Sequence, residues 1–268
     1  MFVLTYFGEL KKMYGKIIIR NISSIFLILS ILSTAVYAKP DKNNSCANSS
    51  GHSANCNTSP VNNTNTATPW HVTNSDPAND VIMAFDVLED GFIEKVKADV
   101  SEIKGIAYCV GSIDLKPLRM VTEQDFNKCM KLNLYSAVEA IKGFQESLKK
   151  NKGSIVLFST VAAQRGFTNH TIIASAKAAV EGLTVSLAAE FAPNIRVNCI
   201  APSLTKSKIA EPMLKNTTIA EGIAKAHPLK RLGDGKDSAS LAKFLITEDS
   251  SWVTGQIIAV DGGRSKLS

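Results

Sequence analysis

Cysteine is scarce in this chain, five in 268 residues, too few and too scattered to form a disulfide scaffold. A run of lysine or arginine is also missing, although the formal net charge is +6. The first 80 residues hold Lys11, Lys12, Lys16, Arg20, Lys39 and Lys42 against Glu9, Asp41, Asp76 and Asp80, and the remaining excess is spread thinly. A nucleic-acid footprint needs basic residues clustered on one face with stacking aromatics between them, so no nucleic-acid partner is expected. His52, His71, His170 and His227 show no ligand spacing, and no metal site is expected. Between Gly15 and Gly105 the only glycines are Gly51 and Gly91, so that stretch holds no glycine-rich turn able to cradle a phosphate. What is present, 45% hydrophobic and 20% charged residues, is the composition of a globular protein of one large or two small domains.

Three regions follow one another. Residues 1–38 read as a signal peptide or hydrophobic leader. The four early basic residues precede an apolar core at 25–32, broken only by Ser30, and Val36-Tyr37-Ala38 forms a small-residue cleavage pattern. That core is too short to span a bilayer comfortably. The leader predicts export to the periplasm or outside the cell; cytoplasmic residence is the alternative. Residues 39–80 are rich in Asn, Ser and Thr and poor in large apolar side chains until Trp70, and read as a disordered linker. Cys46 and Cys56 lie ten apart in it, either a small disulfide loop or two unpaired thiols. From Val81 onward, short apolar runs at 81–87, 106–110, 155–158, 195–200 and 257–260 alternate with helical stretches. Continuous rather than alternating apolar runs imply strands buried on both faces, hence a parallel sheet covered by helices and an α/β fold.

The clearest helix is predicted over 122–144. Thr122-Glu123-Gln124-Asp125 resembles a capping box, and Phe126, Met130, Ala137, Ile141 and Phe144 form an apolar stripe with Asn133 on it. A second is predicted over 172–192, stopping before Pro193, with Ala176, Val180, Leu183, Leu187 and Phe191 on its buried side. Ala174, Ala178 and Gly182 recur every fourth residue of that helix and would let another backbone approach closely. Cys109, Cys129 and Cys199 fall in apolar contexts and are expected to be reduced core residues. In an open parallel sheet, ligands bind beyond the carboxyl ends of the strands. The loops there hold Gly111-Ser112, Ser159-Thr160, Pro202-Ser203-Leu204-Thr205 and Asp261-Gly262-Gly263.

Residues 195–202 (IRVNCIAP), 254–263 (TGQIIAVDGG) and 175–180 (SAKAAV) together resemble the short-chain dehydrogenases/reductases, over about residues 81–268. The resemblance implies a Rossmann-like, doubly wound parallel sheet. It also implies NAD or NADP as cofactor, hydride transfer between an alcohol or carbonyl substrate and that cofactor, and a homo-oligomer through the 122–144 and 172–192 helices. It places Asn133 where the family's helix asparagine holds a water, Thr160 in the place of the substrate-binding serine, and Lys177 in the slot of the lysine that grips the ribose and depresses a tyrosine pKa. Asp86 and Val87 fall on the adenine side; Gly111, Pro202 and Ser207 fall along the rest of the cofactor.

The chain departs from that pattern twice. The catalytic tyrosine should stand one helical turn before Lys177, and the residue there is Ile173, which has no proton to donate. His170, one further turn back, is the substitute acid that the sequence offers. The glycine-rich turn is missing, and residues 81–87 resemble the family's third strand. The first two strands are therefore expected to have been replaced by leader and linker, leaving the sheet incomplete at its N-terminal half. Either residues 81–87 would then pair beside 106–110, or a partner chain would fill the gap. A junction between an unrelated start and a truncated reductase would produce the abrupt change near Val81. The expected function is an NAD(P)-dependent oxidoreductase with impaired turnover; the alternative is a non-catalytic remnant acting as an interaction or dimerisation module.

Overall fold

The computed structural model describes the backbone of residues 26–30, 68–73 and 81–267, with side chains from residue 86 onward. Seven strands form one sheet: β1 (Phe26–Ser30), β2 (Thr68–Thr73), β3 (Val81–Phe85), β4 (Gly105–Cys109), β5 (Ser154–Phe158), β6 (Arg196–Pro202) and β7 (Ile257–Val260). Their order is β3-β2-β1-β4-β5-β6-β7. The pairs β1–β4, β4–β5, β5–β6 and β6–β7 are parallel, whereas β2 runs antiparallel to both of its neighbours.

The α/β, Rossmann-like architecture is as the sequence implies, but the expected gap is closed differently. Residues 81–87 do not cross over to β4. The strand beside β4 is Phe26–Ser30, within the apolar run at 25–32, with Ile28 opposite Ala107. The next is Thr68–Thr73, inside the stretch that composition reads as disordered linker, with His71 opposite Ile28 on one side and Ile82 on the other. No partner chain is needed to cover β4. The physical reason is that the edge of an apolar central strand accepts any extended backbone of matching length, and Phe26–Ser30 supplies one. Pro69 in β2 has no N–H to give its neighbour, so this borrowed strand is a weak rung of the ladder. Cys46, Cys56 and the cleavage pattern lie outside the described residues.

Cleavage after Ala38 would remove β1. The native folded protein should therefore retain residues 26–30 in an intact-mass measurement. A chain begun at Lys39 should scatter light on refolding, because β4 would present a bare apolar edge.

The sheet core follows from the apolar runs. Ile106, Tyr108, Ile155, Leu157, Val197 and Cys199 point to one face. There they pack against α1 (Phe92–Asp99), α3 (Ser136–Lys150) and α4 (Thr171–Phe191), through Phe92, Val96, Ile141, Phe144 and Val180. Ala107, Val156 and Ile200 point to the other face, against Leu245 of α7 (Gly235–Ile246). Each fully buried isoleucine or leucine contributes roughly 1.5–3 kcal/mol. Cover on both faces is why the strands are apolar throughout rather than alternating.

The helix predicted over 122–144 is real but not uniform. Thr122 caps α2 (Glu123–Met130) in a full capping box with Asp125. Residues Lys131–Tyr135 form a π-helical turn, and α3 continues to Lys150. Lys116, in the loop after β4, reaches Asp125 at 2.7 Å and ties that loop to the helix start. Its ammonium and the Thr122 cap pull the Asp125 carboxyl down to about 2. The short helices α5 (Glu211–Leu214) and α6 (Thr217–Lys225) cover the loop after β6. Asp261-Gly262-Gly263 makes the closing turn. Both glycines have positive φ, 59° and 86°, and the Asp261 carboxylate accepts from the amides of Gly263 and Ser265.

Candidate functional site

Beyond the carboxyl ends of β4, β5 and β6 lies a cavity of about 320 Å³, lined among others by Thr160, His170, Ile173, Lys177, Pro202 and Ser207. Parallel strands end together, so loops far apart in sequence converge here, at the position expected for an open α/β sheet.

Lys177 is 8% exposed on the inner face of α4. Its ammonium donates to the carbonyl oxygen of Phe158 at 2.9 Å, the end of β5. No carboxylate forms an ion pair with it among the described residues. Burial pushes its pKa down to about 8, and the surrounding thiols of Cys199, Cys129 and Cys109 push weakly the other way. Those thiols are themselves raised by burial, to about 12 for Cys109 and Cys199 and about 11 for Cys129. They behave as the inert core groups their apolar contexts imply.

Asn133 is 1% exposed and sits in the π-helical turn. A wide turn of this kind displaces one side chain inward from the regular helical stripe and is frequent at functional sites. The amide donates to the Cys129 carbonyl at 2.9 Å and to Ser112 Oγ at 3.3 Å, and its oxygen accepts from the Ser112 amide at 3.3 Å. Gly111 explains how this residue and Lys177 come together. A Cβ placed on Gly111 would lie 2.5 Å from Asn133 Oδ1 and 3.0 Å from Lys177 Nζ, so a larger residue there would push those two side-chain ends away.

Ile173 lines the cavity one helical turn before Lys177 and is 4% exposed, packed with Cys129, Ile172 and Ala176. The position where the resemblance expects a tyrosine thus lines the cavity and carries hydrocarbon. Thr160 Oγ1 accepts from the Ala162 amide at 3.3 Å and donates weakly to the Pro202 carbonyl at 3.4 Å. The neighbouring Ser159 hydroxyl is instead committed to Glu181 at 2.7 Å, holding β5 on α4. His170 is the residue before α4, and its Nδ1 lies 2.8 Å from the Thr168 carbonyl. A carbonyl can only accept, so Nδ1 carries the proton and Nε2 bears one only when the ring is cationic. Phe167 stands at the cavity wall with the guanidinium carbons of Arg165 and Arg264 each 5.8 Å from its ring centre.

Asp86 and Val87 do not reach this cavity. Asp86 follows β3 at the sheet edge and accepts from the Leu88 amide at 2.9 Å, while Val87 is a core residue. One pair escaped sequence reasoning: Ser203 Oγ lies 2.8 Å from Nε2 of His227, a buried ring whose Nδ1 donates to the Ile223 carbonyl at 2.7 Å. In the sequence Ser203 stands only as one member of the Pro202-Ser203-Leu204-Thr205 loop. Nothing in the 23 intervening residues signals that His227 returns to it.

A dinucleotide would meet two different surfaces. On the nicotinamide side Gly111, Asn133, Thr160, Lys177 and Pro202 fit, and the Gly111 approach is a cradle that any Cβ would fill. For the pyrophosphate, only the sequence after β1 bears on the fit. The residues after β1 are Ile31-Leu32-Ser33-Thr34-Ala35-Val36, without the glycines that let backbone amides approach a phosphate.

A family model described as enoyl-(acyl carrier protein) reductase matches residues 62–265. A tropinone reductase homolog of Arabidopsis thaliana is 36% identical over 156 residues, which are 58% of this chain and 59% of the relative. The chain thus spans about three fifths of the length of that curated relative. Among solved structures, a short-chain type dehydrogenase/reductase from Mycobacterium ulcerans superposes with a TM-score of 0.62 at 27% identity, over 67% of this chain and 68% of that one. ElxO, solved with NADP bound, superposes with a TM-score of 0.61 at 28% identity, over 67% of this chain and 76% of that one. With the sheet order, the converging strand ends and the Asn133, Thr160 and Lys177 geometry, these matches place the chain in the short-chain dehydrogenase/reductase family of oxidoreductases.

Proposed function

We propose that this protein is an NAD(P)-linked reductase of small carbonyl compounds, or the corresponding alcohol dehydrogenase, whose turnover is impaired. One observation carries the reading: the cavity brings Lys177 and Thr160 together while Ile173 occupies the position of the proton donor. The NADP bound in the solved ElxO structure supports a nucleotide of that class here. In this chain Lys177 would hold the nicotinamide ribose, Thr160 would position the substrate oxygen, and Asn133 would steady the lysine environment. His170 is the remaining side chain on the cavity wall that would supply a proton.

With no glycine-rich turn, the pyrophosphate loses its backbone donors. Fluorescence titration with NADH and NADPH should give dissociation constants in the millimolar rather than the micromolar range, a difference of about 4 kcal/mol. Saturation at micromolar nucleotide would show that some other segment holds the phosphates and would remove the impairment from the cofactor side.

The outer face of α4 supports a homo-oligomer. Ala178 and Gly182 are exposed, and a Cβ on Gly182 would meet nothing within 4 Å. Two copies of α4 can approach closely along such small residues. Gly182→Trp should shift the sedimentation coefficient to that of a monomer; an unchanged oligomer would place the interface elsewhere. The same helix face is what a non-catalytic interaction module would keep.

We also propose that the leader stays on the protein and that the chain works in the cytoplasm. Supporting this, β1 is drawn from the leader and borders β4. Cell fractionation with antibody detection tests it, and recovery of folded protein only outside the cytoplasm would refute it.

A further inference from the structure

We propose that Lys177 is a nucleophilic amine that captures small aldehydes as a Schiff base inside the apolar cavity beyond β5 and β6. The inference stands on this chain's own residues and does not depend on the oxidoreductase reading, since no nicotinamide cofactor takes part.

Three observations carry it. First, Lys177 is nine-tenths buried yet opens onto a cavity of about 320 Å³, large enough for a benzaldehyde-sized molecule. Second, the ammonium has a single neutral partner, the Phe158 carbonyl, and no carboxylate among the described residues to hold it charged. Third, Ile173, Ile113, Val161, Phe167, Ile209 and Met213 make most of the cavity wall apolar. A desolvated amine facing a hydrophobic pocket is the environment that activates lysine toward carbonyl carbon. Because burial pushes its pKa to about 8, about a tenth of the side chain is free amine at pH 7, against less than about a thousandth for an exposed lysine.

The step balances without any oxidant or reductant. The Nζ lone pair forms a bond to the aldehyde carbon, and the carbonyl π pair moves onto oxygen, giving a carbinolamine. The C–O bond then breaks as the C=N bond forms. The two protons lost by the amine leave with that oxygen as one molecule of water. Thr160 and His170, on the same wall, are placed to relay those protons.

The test is reductive trapping on the full chain at pH 7 with benzaldehyde and sodium cyanoborohydride, without nucleotide, followed by peptide mapping. The expected result is a benzyl adduct on Lys177 formed at least about tenfold faster than on the average exposed lysine, set by the larger free-amine fraction less the cost of entry. The wild-type map needs no variant, so it does not depend on a substitution folding. Lys177→Arg, checked by circular dichroism, should abolish the fast adduct and leave the slow surface ones. Modification spread over exposed lysines with the Lys177 peptide untouched would overturn the proposal. A micromolar nucleotide Kd would bear on the oxidoreductase reading alone.

Discussion

Ile173→Tyr is expected to raise carbonyl-reducing turnover by about 10²- to 10⁴-fold, the range that a positioned general acid contributes. The side chain at this position already points into the cavity, 4% exposed and one turn before Lys177, so a phenol there would reach the same space. Burial would by itself raise the phenol pKa, and a neighbouring ammonium would lower it; the pairing with Lys177 restores a donor that titrates usefully. Tyrosine is larger than isoleucine, and its ring would press on Cys129 and Ile172, at a cost of about 1–3 kcal/mol in stability. The measurement is NADPH oxidation with a panel of small ketones and aldehydes at millimolar nucleotide, comparing wild type, Ile173→Tyr and Ile173→Phe. The phenylalanine variant separates ring from hydroxyl. Equal rates for the tyrosine and phenylalanine variants would show that the missing acid is not what limits this protein. Should His170 be the acting donor, His170→Gln would lower the residual wild-type rate but leave Ile173→Tyr fast.

The second large effect concerns stability. Lys177→Met should stabilise the fold at pH 7 by about 3 kcal/mol, because the native state holds an ammonium pushed from 10.5 to about 8 by burial. The sign follows from proton counts. Below about pH 8 the amine is protonated in both folded and unfolded chains, and the fold carries the whole desolvation cost. Between about 8 and 10.5 the unfolded chain binds more protons, so wild-type stability rises relative to the variant. Above 10.5 the cost is gone. Other groups act oppositely in that range: the Cys109, Cys129 and Cys199 thiols and the Tyr108 phenol are all raised by burial, so their ionisation in the unfolded chain destabilises the fold. Tyr108 is unaffected by the substitution, whereas the three thiols lose the weak pull of the Lys177 ammonium, a smaller change than the loss of the buried charge itself. Urea melts of both proteins at pH 7 and pH 10.5 should therefore show a gap that closes with pH. A gap independent of pH would mean that packing, not charge, separates the two.

How much of this was legible depends on the range over which each feature is encoded. The Thr122–Asp125 capping box was readable from four consecutive letters and formed as read. The apolar runs around Ile106, Ile155 and Val197 announced strands covered on both faces, and both faces are covered. Asn133 was visible as an amide on an apolar stripe, but the π-helical turn that turns it inward was not. No residue type marks such a turn. The Ser203–His227 pair was invisible because two polar residues on separate loops carry no signal until the chain folds.

By itself the sequence determined the local elements, the spacing that puts Ile173 and Lys177 on one helical face, and the lack of glycine after the apolar leader, because these are written in neighbouring residues. Only the tertiary structure decided that Phe26–Ser30 and Thr68–Thr73 stand between Val81–Phe85 and Gly105–Cys109. Strand partners are chosen by which backbone can satisfy an open row of N–H and C=O groups, a choice made across tens of residues of chain. Composition taken alone read those two segments as a signal and a linker.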